Sequence, residues 1–154
     1  PQAVTSEKER LNYRNMVAVC WGNRDAHSNE DKSCDAKRGS LKDIQQSMKK
    51  INVFDGTTLS DIKYSSDGTI YSNDKDLDED LNLRLNLNCE ARRLKECRLQ
   101  ALHALHRSIA QKYFGKTAPQ SYYQKLMEHY TAQQEMKTPY SGILIYWLNK
   151  HIRQ

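Results

Sequence analysis

The stretch Asn12-Tyr13-Arg14-Asn15-Met16-Val17-Ala18-Val19-Cys20, followed after a polar loop by Cys34-Asp35-Ala36-Lys37-Arg38-Gly39, decides how the rest of the chain is read. An asparagine stands ahead of a short β-prone run that ends in cysteine. A second cysteine then opens a basic, glycine-containing turn able to start a helix. Met16 to Val19 is too short to be a sheet alone and needs a partner strand. The loop between the two cysteines carries turn formers and mixed charge, so it is expected to be a surface excursion. Cys20 and Cys34 supply two thiolates, half of a tetrahedral zinc shell. His27 in the loop is a candidate third ligand or an exposed histidine. Asp35 is either a hard-ion ligand or a helix cap, and Asn15 either orients a neighbouring group or closes an Asx turn. Lys37 and Arg38 suit phosphate contact or a solvated helix start.

Working outward, Ser40 can cap a helix from Leu41, with Leu41, Ile44, Met48 and Ile51 on one face. Ile62-Lys63-Tyr64 and Thr69-Ile70-Tyr71 flank Ser65-Ser66-Asp67-Gly68, which predicts a hairpin whose Gly68 takes positive φ. The acidic run Asp74 to Asp80 suits a helix N-terminus and predicts a short helix ending near Leu85-Asn86-Leu87-Asn88. Glu90 to about Phe114 predicts the longest helix, with Leu94, Cys97, Ala101, Leu102, Leu105, Ile109 and Tyr113 on one stripe and Gly115 as the stop. Arg98 falls on the apolar side of that wheel, so it needs partners; the expected ones are the Asn86 and Asn88 turn or the acidic loop. Pro119 with Ser121, and Ser141 to Ile152, predict two further helices.

These pieces resemble the HNH (ββα-metal) endonucleases of the Septu and retron anti-phage systems. The second half of that motif matches residues 12–39. Leu85-Asn86-Leu87-Asn88 with Leu94 and Arg98 matches the family's LNLN-x5-L-x3-R signature, and Pro139-Tyr140-Ser141-Gly142-Ile143 to Leu148 is a third match. The resemblance implies an α+β fold: a partial ββα-metal motif and a β-hairpin, followed by a mostly helical C-terminal body. Residues 1–55 and 56–154 would form one continuous domain. It implies metal-dependent phosphodiester hydrolysis, with Asn15 and Asp35 catalytic and Asp35 holding Mg²⁺ or Mn²⁺. Cys20 and Cys34 would share a structural zinc with two cysteines expected upstream of Pro1, where the general-base histidine is also expected. Lys37 and Arg38 would meet the DNA or RNA substrate, and Arg98, Asn86 and Asn88 would be structural. The implied partners are an ATPase subunit and, in retron systems, a reverse transcriptase with its DNA product. The alternative from a different class is a non-catalytic helical adaptor, or a nucleic-acid-binding subunit of the same kind of complex.

The totals narrow the classes. One domain is the default for 154 residues. The net charge of +5 and a pI near 9.0 favour a polyanionic partner. Residues 90–116 hold seven basic side chains against two acidic ones, which is also what a solvated helix face looks like. Mean hydropathy of −0.89 fits amphipathic helices, and no apolar run approaches bilayer length. Four cysteines without a secretory leader are read as thiols of a reducing cytoplasm, with Cys89 and Cys97 packed in the helical body. His103 and His106, three apart, have ligand spacing but no acidic or third nitrogen partner nearby. With no glycine-rich phosphate loop, the chain is not itself an ATPase.

Overall fold

The computed structural model describes residues 19–52, 57, 60–132 and 137–152. Asn15 and the Met16–Ala18 part of the expected strand lie outside them. The fold is α+β and mostly helical, with one two-stranded sheet among the described residues. The chain divides into two compact units. The first contains the described residues up to Ile62 together with Tyr71–Arg92; the second contains Lys63–Ile70 and the chain from Arg93 onward. The LNLN stretch therefore belongs with the cysteine pair.

In the first unit a single 3₁₀ turn, Asn29–Asp31, is capped by the Ser28 hydroxyl, which accepts from the Glu30 amide. Helix α1 (Cys34–Gly39) follows, then the four-residue α2 (Asp43–Gln46). The helix expected to run from Leu41 to Ile51 does not form as such, and Ile44 is 90% exposed. The cause lies about thirty residues downstream. The buried carboxylate of Asp80 accepts from the amides of Lys49 (3.0 Å), Lys50 (2.7 Å) and Ile51 (2.9 Å), so these donors are turned toward a side chain and not along a helix axis. Arg84 holds the same segment, donating to Ser47 O at 2.8 Å while pairing with Asp80 at 3.3 Å. Asp80 and Arg84 sit at the two ends of a π-helical turn, Asp80–Arg84, which continues α3 (Lys75–Glu79). The short acidic helix is thus present as expected, started by the Asp74 carboxylate accepting from the Leu77 amide at 3.0 Å.

The second unit begins at Lys63, with all but the last residue of the hairpin β1 (Lys63–Tyr64) and β2 (Ile70–Tyr71), which turns at Gly68 with φ +82° as the sequence predicts. The Asp67 carboxylate closes the turn by accepting from the Ser65 hydroxyl and from the Thr69 amide and hydroxyl. These bonds, led by the one from Ser65, bring its pKa down to about 2. Three helices follow: α4 (Leu94–Lys112), α5 (Gln120–Thr131) and α6 (Ser141–Ile152). Helix α4 begins four residues later than expected, because Arg93 takes φ +50° and residues 90–93 form a turn. Its core partners are those the periodicity picks out. Leu105, Ile109, Tyr123, Ile143, Leu144 and Leu148 form the buried cluster, and Ala101, Leu102, Tyr113, Leu126 and Trp147 pack against it.

Candidate metal centre and substrate concavity

The 13-residue loop between the cysteines folds back so that Cys20 Sγ and Cys34 Sγ stand 2.9 Å apart. Local chemistry explains the return. Gly22 and Asn23 take φ +63° and +57° in succession, reversing the chain directly after Trp21. Gly22 O then accepts from the Ser33 amide at 2.8 Å, and a Cβ on Gly22 would lie 2.2 Å from Ser33 O. The Asn23 side-chain amide donates to Asp31 O at 3.0 Å.

The LNLN segment is the floor on which this loop rests. Asn86, at φ +47°, donates from Nδ2 to Glu30 O and to Lys32 O, each at 2.8 Å. The Cys34 amide donates to Leu85 O at 2.7 Å, and the Cys89 thiol lies 3.6 Å from Glu30 O. Asn88 donates to Asn82 Oδ1 at 2.6 Å, bracing the floor from below. Asn86 and Asn88 thus hold this segment through specific bonds. Burial, followed by the bond and charge of Cys20, pushes the Cys34 thiol up to about 11. Cys34 is thus a neutral thiol until a cation compensates it.

Asp35 lies in the first turn of α1, half-buried, with Oδ1 accepting from Arg38 Nη2 at 2.6 Å. It does not cap the helix, since the N-cap residue is Ser33. With Arg24, Lys32, Ala36, Gly39 and Ser40 it lines an open concavity of ≈ 280 Å³. Lys37 corrects an expectation. It is 5% exposed and its ammonium is held by Glu30 at 2.9 Å, so it is not offered to a phosphate. Arg38 is tied to Asp35 and positions that carboxylate. The cations facing the concavity are Arg24 and Lys32, which sequence reasoning passed over as loop charge. The overlooked signal is their position between the two, Arg24 directly after the Gly22-Asn23 reversal and Lys32 two residues before the Cys34 helix start. Trp21, an indole next to Cys20 at the start of a polar loop, is a second signal of the same kind.

Arg98 is 6% exposed, as its wheel position requires. Nη1 donates to Gly68 O at 3.0 Å, a carbonyl of the hairpin turn. His27 is exposed. His103 and His106 have ring centroids 6.5 Å apart, and His106 faces Trp147 at 4.6 Å. Among the described residues no three histidine, cysteine or carboxylate side chains converge on one point, and no helix is long and apolar enough to cross a membrane. Compared with known proteins, the chain matches no family model, no curated protein and no solved structure.

Proposed function

We propose that the chain is the metal-dependent, HNH-type endonuclease subunit of an anti-phage defence complex, hydrolysing nucleic-acid phosphodiester bonds under the control of a partner ATPase. The observation that carries the reading is the close pair of Cys20 and Cys34 thiols, followed one residue on by Asp35, whose carboxylate side lines a concavity that also presents two cations. The donors fit the ions the resemblance implies. Cys20 and Cys34 would hold a structural Zn²⁺ with two further thiolates. Asp35 has Oδ2 left over beside its Arg38 bond and would hold Mg²⁺ or Mn²⁺ as one carboxylate in a shell completed by water and other groups. That divalent ion, when bound, supplies electrostatic stabilisation for charge developing on the phosphate.

The chain's own residues do the rest. Arg38 orients the Asp35 carboxylate, and Arg24 and Lys32 neutralise the phosphates on either side. Asn86 and Asn88 keep the cysteine loop in place. Asn15 orients the general-base histidine in the resembling family, and the same role is proposed for it here. A retron-type reverse transcriptase with its DNA product is a further proposed partner.

The test uses the full-length protein with Mg²⁺ or Mn²⁺. Asp35→Ala should reduce cleavage at least about a hundredfold, since an ion-holding carboxylate contributes several kcal/mol to the transition state. Its circular dichroism and zinc content should stay at wild-type values, while Cys34→Ser should lose zinc. Cleavage by Asp35→Ala at the wild-type rate would overturn the reading in favour of a non-catalytic adaptor.

A further inference from the structure

Trp21 is 58% exposed, although an indole is among the side chains that gain most from burial. The Gly22-Asn23 reversal brings Arg24 back over it, with the guanidinium carbon 5.2 Å from the ring centroid. The turn is fixed at both ends, by Gly22 O accepting from the Ser33 amide at 2.8 Å and by Asn23 Nδ2 donating to Asp31 O at 3.0 Å. The indole is thus held outward on a rigid turn. The same Arg24 lines the concavity with Lys32 and Asp35. A flat π face and a cation, Arg24, therefore occur within one turn of chain, with Lys32 across the same concavity, and one nucleotide offers the complement of both.

We propose that Trp21 is a stacking platform for an unpaired base, and that the concavity beside Asp35 takes single-stranded or locally unpaired nucleic acid, its backbone lying against Arg24 and Lys32. In a duplex both faces of each base are covered by neighbouring base pairs, so an indole platform has nothing to stack on; an unpaired base has a free face. This rests on the nucleic-acid reading above and narrows its substrate class. Stacking and charge divide the work: Trp21 distinguishes unpaired from paired strands, and Arg24 contributes a contact that weakens with salt.

The experiment measures binding of a labelled single-stranded oligonucleotide, and of the duplex of the same sequence, to the full-length protein with no Mg²⁺ or Mn²⁺ added. The wild type should bind the single strand at least about tenfold more tightly. Trp21→Ala should lose about tenfold or more on the single strand and little on the duplex, while Trp21→Phe, which keeps an aromatic face, should retain most of the affinity. Arg24→Ala should reduce the slope of log affinity against log salt by about one. Equal affinity for both forms, or an unchanged Trp21→Ala, overturns the proposal. The nuclease reading fails separately. If Asp35→Ala still cuts while Trp21→Ala has lost single-strand binding, the platform stands and the catalytic assignment falls. If Asp35→Ala is dead while Trp21→Ala binds normally, the platform falls alone.

Discussion

The carboxylate of Asp80 gathers three successive amides and the Arg84 guanidinium at a position with 0% exposure. Charge-assisted bonds of this kind are short and strong, but only while every partner is present. Removing the acceptor leaves the donors of Lys49, Lys50 and Ile51 and one buried cation without their shared anion. Asp80→Ala should therefore cost about 3–5 kcal/mol, the scale of breaking a buried ion pair. It would be read as a fall in the urea midpoint; a change below about 0.5 kcal/mol would mean that water replaces the carboxylate. Asn86 is the second residue of this kind. Asn86→Asp is nearly isosteric and tolerates the left-handed backbone, yet it replaces the NH₂ group facing Glu30 O and Lys32 O with an acceptor. It should cost about 1–3 kcal/mol and speed amide hydrogen exchange across 28–33. Unchanged exchange there would show that the loop is held by its own turns.

Hairpin and long helix meet closely at Gly68. Gly68 presents its carbonyl to Arg98 while its α-carbon approaches the helix so closely that an added Cβ would lie 2.4 Å from Lys95 O. Arg98→Ala should lower stability by about 1.5–3 kcal/mol, as for a hydrogen bond to a charged group. Gly68→Ala should lower it through both the clash and its φ of +82°. Because both changes act on one contact, the double variant should fall short of the sum of the two. Strict additivity, or a loss of nucleic-acid affinity with no change in melting temperature, would place Arg98 in a different role. At this scale the sequence was most legible where one short-range rule governs. The Gly68 turn follows from φ alone, and α4 to α6 follow from apolar spacing. It was least legible where a distant side chain takes over backbone groups. Asp80 redirects amides 29 to 31 residues away, and Asn86 reaches carbonyls 54 and 56 residues away, so neither α2 nor the cysteine loop is shaped by local propensity alone. The cysteine spacing and Asp35 marked the site, but its cations were misassigned because Lys37 is drawn inward by Glu30.

Charge over the whole molecule is arranged so that acid acts on the two units in different ranges. In the first unit Lys49 pairs with Glu79 and Asp76, and Lys50 with Asp74, at 2.6–3.1 Å. The Lys50 bond holds Asp74, and the Lys49 bond holds Glu79, below their ordinary values of 3.8 and 4.5. Carboxyls depressed by folding contribute stability above their unfolded values and lose it as pH falls through the folded ones, so this unit weakens only below about pH 4.5. In the second unit, burial, then His103 on the same helix and His151 on α6, lower His106 from its ordinary 6.5. The unfolded chain then takes up a proton near pH 6.5 that the fold resists, and stability is lost as pH falls from that point. Trp147 reports the event, being stacked on His151 at 3.7 Å and set against His106 at 4.6 Å. The chain has two tryptophans, so in Trp21→Phe the emission belongs to Trp147 alone. Its emission should change as pH falls below 6.5, while amide protection at Lys49 to Ile51 persists until the carboxylates titrate. His106→Gln should move the first transition to lower pH. If the Trp147 signal and the Lys49–Ile51 protection are lost together below about pH 4.5, the carboxylates govern both units and His106 is not the acid-sensitive point.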